Sequence, residues 1–192
     1  MAVQMRKQVA VRRGARGACG LRKRRLLLPS PAENAFGCSK TAPVLRCLSF
    51  SMTSAKLDPA LLQAYRETDY IVHAGPDFVL HVDRPCAGLV AYYALRGIDS
   101  GCVITAWNPY SQPLGDAENR ARQQTLEEHL RRDGWQWVLA VGAHPSNEWA
   151  PEVGCFVEGM DIDTAVEWGR AWQQNAVIWC GADAIPRLQL LR

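Results

Sequence analysis

Apolar and polar positions change their period repeatedly along the chain, and each change marks an element. From Asp58 the segment DPALLQAYRETDY places Leu61, Leu62 and Tyr65 on one helical face. Asp58 stands as a helix N-cap and Pro59 at the first helical position. Two strands follow, Tyr70–Ala74 and Phe78–Val82, joined by the turn residues Gly75-Pro76-Asp77 into a hairpin. Ala87–Arg96 has a helical period, with Leu89, Tyr92, Tyr93 and Leu95 available for burial and Gly97 placed to end it. Cys102–Ala106 is almost wholly apolar, the pattern of a strand covered on both faces. Asp116–Arg132 is a long amphipathic helix whose stripe runs through Ala117, Ala121, Leu126 and Leu130.

The second half continues in short units. Trp135–Gly142 is a strand with Trp137, Leu139 and Val141 on one face, and Cys155–Val157 is a shorter one ending at Glu158-Gly159. A helix over Thr164–Trp172, capped by Asp161 or Asp163, leads to the strand Ala176–Cys180. The closing strand, Ile185–Leu191, carries Pro186 near its start, which suits an edge. The order α-β-β-α-β-α-β-β-α-β-β predicts an α/β or α+β fold, a single layered domain with a mixed sheet and helices packed on it. Trp135, Trp137, Trp168, Trp172 and Trp179 fall at apolar-face spacing and read mostly as core.

Charge divides the chain in two. Residues 1–51 hold 11 Lys/Arg against the single acid Glu33, and residues 52–192 hold 11 Lys/Arg against 18 acids. Residues 1–51 therefore read as a disordered basic extension, and residues 52–192 as the domain. The extension has two other readings: a nucleic-acid-binding arm, or an organelle transit sequence by composition. No run approaches the roughly 20 apolar residues needed to span a bilayer. The seven cysteines include no C-x-x-C pair, so free thiols in a reducing compartment, and a cytoplasmic location, are expected.

Candidate chemistry gathers where the strand Cys102–Ala106 meets the long helix. The sequence carries no G-x-G-x-x-G, P-loop, H-E-x-x-H or G-x-S-x-G signature. In their place stands Thr105-Ala106-Trp107-Asn108-Pro109, then Ser111 and Glu118-Asn119. Asn108 and Ser111 offer an amide and a hydroxyl, and Glu118 and Asn119 occupy the first helical turn, where an anion can also bind. The competing reading is that Asn108, Ser111 and Asn119 only cap and tie down their own turn. A second polar loop holds His144, Glu148, Trp149 and Glu152. A His beside a carboxylate can do acid–base work, and an indole can stack on a planar ligand. Glu158 would need a partner if buried, with Arg120 or Arg122 at hand. Some of Glu158, Gln173, Gln174 and Asn175 line the same rim if their strands are parallel neighbours of the central one. No His or Cys spacing points to a metal.

These residues resemble a bacterial family known as a domain of unknown function, number 3293. The resemblance rests on Thr105–Pro109, Ser111, Glu118-Asn119, the Trp149 loop with Glu152, Glu158-Gly159 and Gln174-Asn175-Ala176. It covers about residues 60–190, leaves out the basic extension, and supplies no activity or cofactor. The function expected is binding of a small polar ligand or nucleotide in a pocket formed by the TAWNP loop. The ligand contacts would be Trp107, Asn108, Ser111, Asn119, Trp149 and Asn175, with Glu118, His144 and Glu158 as acid–base candidates. Two alternatives stand beside it: a non-enzymatic regulatory module whose acidic domain meets a basic protein partner, and nucleic-acid binding through the basic extension.

Overall fold

The computed structural model describes residues 57–146 and 149–192, so the basic extension and Glu148 lie outside the described residues. The elements are α1 (Pro59–Glu67), β1 (Asp69–Val72), β2 (Phe78–Leu80), α2 (Ala87–Arg96), β3 (Gly101–Ile104), α3 (Asp116–Arg132), β4 (Trp137–Ala143), β5 (Glu152–Glu158), α4 (Ile162–Ala171), β6 (Ala176–Cys180) and β7 (Pro186–Leu190). Their order is the one that the apolar periods predict. Local signals account for the helix ends. The Asp58 carboxylate accepts the Ala60 amide, Gly97 closes α2 in the left-handed region (φ 67), and Asp161 accepts the Thr164 amide.

The strands form one sheet in the order β2-β1-β4-β5-β3-β6-β7. Each pairing is antiparallel, where the sequence led us to expect a mixed sheet. The helical crossovers explain the difference. β3 and β4 are both antiparallel to β5, so β3-α3-β4 joins two strands of like direction with β5 between them. β5-α4-β6 does the same around β3. Two split β-α-β units thus interlock, the ferredoxin-like arrangement, and no two strands of like direction become neighbours. The β1–β2 hairpin widens this core beyond β4, and β7 widens it beyond β6 as an edge strand.

Alternation sorts the side chains onto two faces. Tyr70, Val72, Phe78, Val103, Ala140, Phe156 and Ile178 form one apolar cluster with Leu89, Tyr92 and Tyr93 of α2. Gly101 is required here, because a Cβ would stand 2.4 Å from the Phe156 ring. On the other face, Gln123 of α3 donates to Cys155, and α4 comes so close that a Cβ on Gly169 would meet Val177 and Leu191.

Several predicted core positions are corrected. Leu95 is 76% and Leu139 42% exposed. Ala117 and Ala121 are also exposed, because the buried stripe of α3 is Asn119, Gln123, Leu126 and Leu130. Of the five tryptophans read as core, only Trp168 is fully buried; the others are half-buried at the margins, Trp179 donating its indole N–H to the Met160 carbonyl.

Candidate functional site

After Ile104 the chain leaves the sheet, and its backbone groups lose their ladder partners. Side chains replace them. Gln123 accepts the Ala106 amide (3.2 Å), Arg122 donates to the Ala106 carbonyl (2.9 Å), and Gln174 donates to the Trp107 carbonyl (3.0 Å). Thr105 donates its hydroxyl to the Val153 carbonyl (2.6 Å) and accepts the Trp107 amide (3.0 Å). This is why α3 buries two amides in its first half: a buried backbone group without a partner costs more than a polar side chain in the core.

Asn108 is the knot of the loop. Its amide donates to Asn119 (2.9 Å), its side-chain oxygen accepts from Leu114 and Asn119 (both 2.9 Å), and its side-chain nitrogen donates to Glu152 (2.6 Å). These bonds hold an unusual backbone. Asn108 (φ 44), Tyr110 (φ 54) and Ser111 (φ 58) are all in the left-handed region around a 3₁₀ turn, Pro109–Ser111. Asn tolerates that region; Tyr and Ser occupy it only where surroundings compel them. Here the Tyr110 amide donates to the Gln173 carbonyl (2.6 Å), and Asn175 donates to the Ser111 hydroxyl (3.0 Å).

Beside this loop lies a cleft of about 340 Å³. Its floor is the α2-side face of the sheet, with Tyr70, Val103, Ile178 and Leu188. One wall is α1, which contributes Leu61, Ala64 and Tyr65. The rim is polar: Thr105, Asn108 and Ser111 from the TAWNP loop, His144, Trp149 and Glu152 from the second loop, and Gln174. The Tyr65 hydroxyl lies 2.8 Å from Ser111 Oγ, so α1 is tied directly to the strained turn. The Tyr70 hydroxyl donates to the Tyr65 carbonyl (3.0 Å), and burial, foremost, pushes its pKa up. His144 Nδ1 accepts the Ser146 amide (3.2 Å), and Nε2 faces Glu67 (3.3 Å) on α1.

The candidate residues divide accordingly. Asn108, Ser111, His144 and Trp149 line the cleft. Asn119 and Asn175 are buried behind it and hold Asn108 and Ser111 in place. Trp107 is buried outside the wall, and its indole N–H has no acceptor among the described residues. Glu118 is exposed on α3. Glu158 sits at the other end of β5, where it accepts from Tyr92 (2.5 Å) and from Arg96 through two nitrogens (3.0 Å each). Its partner is thus Arg96, and not Arg120 or Arg122, because Glu158 projects onto the α2 face. The α3 N-terminus, weighed above as an anion site, is absent from the wall and already holds Asp116 and Glu118.

Sequence reasoning missed α1, Tyr65, Tyr70 and Leu188 as parts of the site. Thr105 was visible only as a piece of the resemblance, whereas Gln174 was expected at the rim if its strand ran parallel to the central one, and it lines the cleft although β6 is antiparallel to β3. Among the described residues no group of three or more His, Cys, Asp or Glu side chains could hold a metal. Four described cysteines are unpaired and buried, and burial pushes the Cys155 thiol up to about 12, far from a reactive thiolate. No helix of the described residues is long and apolar enough to cross a membrane.

Searches of the curated proteins and of the solved structures gave no match. Residues 104–177 match the model of a family described as Protein of unknown function (DUF3293). That segment opens at the end of β3 and closes inside β6, so it contains the TAWNP loop, α3, the Trp149–Glu152 rim and Gln174-Asn175. Over this segment the chain is similar to that family.

Proposed function

We propose that the domain binds a small organic molecule in the cleft beside the TAWNP loop. The observation that carries this reading is the cleft itself: about 340 Å³, apolar at its floor, with hydrogen-bonding groups around the mouth. That size and lining are typical of small-molecule sites. Left-handed Tyr110 and Ser111 at the rim support it, since backbone strain of this kind gathers at ligand-holding positions. The wall contains no Lys or Arg, which weighs against a phosphate and so against the nucleotide half of the original expectation. Ser111 makes its bonds to Tyr65 and Asn175 rather than to His144, so the arrangement supports binding more than nucleophilic catalysis. Buried unpaired thiols fit a reducing compartment such as the cytoplasm.

The test is a thermal-shift screen of the full chain against a metabolite library, followed by NMR perturbation mapping of the hits. Ligands that raise the melting temperature should move the Trp149 indole and Ser111 amide signals. Hits whose perturbations fall elsewhere, or a folded protein that answers to nothing in the library, would refute the reading.

A further inference from the structure

We propose that the cleft takes a small organic ammonium carried on an aryl or alkyl body, with Glu152 as the carboxylate that receives the charged nitrogen. This rests on the ligand-cleft reading above and names the class of ligand. The Glu152 side chain has one committed oxygen. Oε1 accepts from Asn108 Nδ2 (2.6 Å) and from the Trp149 indole N–H (2.9 Å), both neutral donors. Oε2 accepts nothing, and Glu152 forms no ion pair, among the described residues. A half-buried carboxylate held in place by neutral donors, with its second oxygen unoccupied, is arranged for a charge-assisted bond from outside the chain.

No other cation of the wall competes for it. Lys and Arg are absent from the lining. His144 accepts at Nδ1 from the Ser146 amide and faces Glu67 through Nε2, so these ring contacts are made away from Glu152. Aromatic rings stand around the same space: Tyr65, Tyr70, Tyr110 and Trp149. Rings of this kind attract an ammonium through their faces, and Arg192 already lies over Tyr110 at 4.1 Å from its centre. The floor of Val103, Ile178 and Leu188 suits an apolar body, and the second carboxylate of the lining, Asp58, is already engaged as the N-cap of α1, where it accepts the Ala60 amide. At longer range, residues 57–192 contain no Lys and 10 Arg against 18 acids, a field that draws cations toward the domain.

The experiment is calorimetric titration of the full chain with phenethylamine, 2-phenylethanol, phenylacetate and spermidine. Phenethylamine should bind about tenfold more tightly than the other three, the difference expected for one charge-assisted bond. Glu152→Gln keeps an acceptor for Asn108 and Trp149 and should bring the amine down to the level of the alcohol, leaving the alcohol unchanged. Glu152→Asp keeps the charge and should keep the preference. Circular dichroism checks the fold of both variants; if the Gln variant does not fold, the ranking on the wild type and on the Asp variant decides. The ammonium assignment is overturned by phenylacetate, the alcohol or spermidine binding as tightly as phenethylamine, or by an unchanged preference in a folded Gln variant. Failure of all four probes to bind overturns the ammonium assignment, whereas the cleft reading stands or falls on the library screen.

Discussion

Asn108 bonds three separate parts of the chain, through Leu114, Asn119 and Glu152, while holding a left-handed backbone. Asn108→Ala should therefore cost about 3 kcal/mol, the sum of two or three net hydrogen bonds and the left-handed penalty. Asn119→Ala removes one end of the same network, so the double variant should cost clearly less than the two single costs added. Urea denaturation of the four proteins measures both quantities. Trp107 predicts the opposite sign: its buried indole N–H has no acceptor, so Trp107→Phe should leave stability nearly unchanged or raise it, read by the same method. Tyr92 gives a pH prediction. Burial first, and its bond to Glu158 second, push the phenol up from 10.0 to about 12. The native state thus favours the protonated form, so the contribution is complete below about pH 10 and is lost as pH rises toward 12. Alkaline unfolding should begin within that window in the wild type, and Tyr92→Phe should lack this component of the pH dependence.

Among the elements, α1 differs from the rest. None of its residues is fully buried, and its ties to the body are few: Tyr65 to Ser111 and Tyr70, Glu67 to His144, Arg66 to Asp83. Its amides should exchange with solvent well before those of α2, and Tyr65→Phe should hasten that exchange without changing α2; hydrogen exchange read by NMR checks both. The position of α1 was also the least legible part of the sequence. The period of Leu61, Leu62 and Tyr65 says that one face is covered, but not what lies under it. Helix limits were legible because caps are local: Asp58, Gly97 and Asp161 act within their own turns. The buried stripe of α3 was misread for an instructive reason. Apolar periodicity favours Ala117 and Ala121, whereas the fold buries Asn119 and Gln123 to serve the backbone of a loop. Likewise the left-handed Tyr110 and Ser111 carry no glycine signal, since the neighbouring segments impose that conformation. The TAWNP loop was found as a candidate site, but the role of Asn119 and Asn175 behind it depends on contacts that only the strand order creates.

Across the whole molecule, the sheet is shared by two layers, α2 on one side and α3 with α4 on the other. Phe156 on the central strand β5 meets Phe78 and Tyr92 edge-on and is fully buried. Phe156→Ala should cost about 4 kcal/mol. Because β5 also carries Cys155 against α3, both layers should melt together, and tryptophan fluorescence and far-ultraviolet dichroism should give coincident transitions. The same arrangement separates the cleft into parts of different origin. The matched segment, residues 104–177, carries the rim, whereas α1 and Leu188 lie outside it. The rim and α1 thus come from different stretches of the chain. Replacing residues 57–68 alone would recut the chamber while leaving intact the amide knot that anchors its mouth.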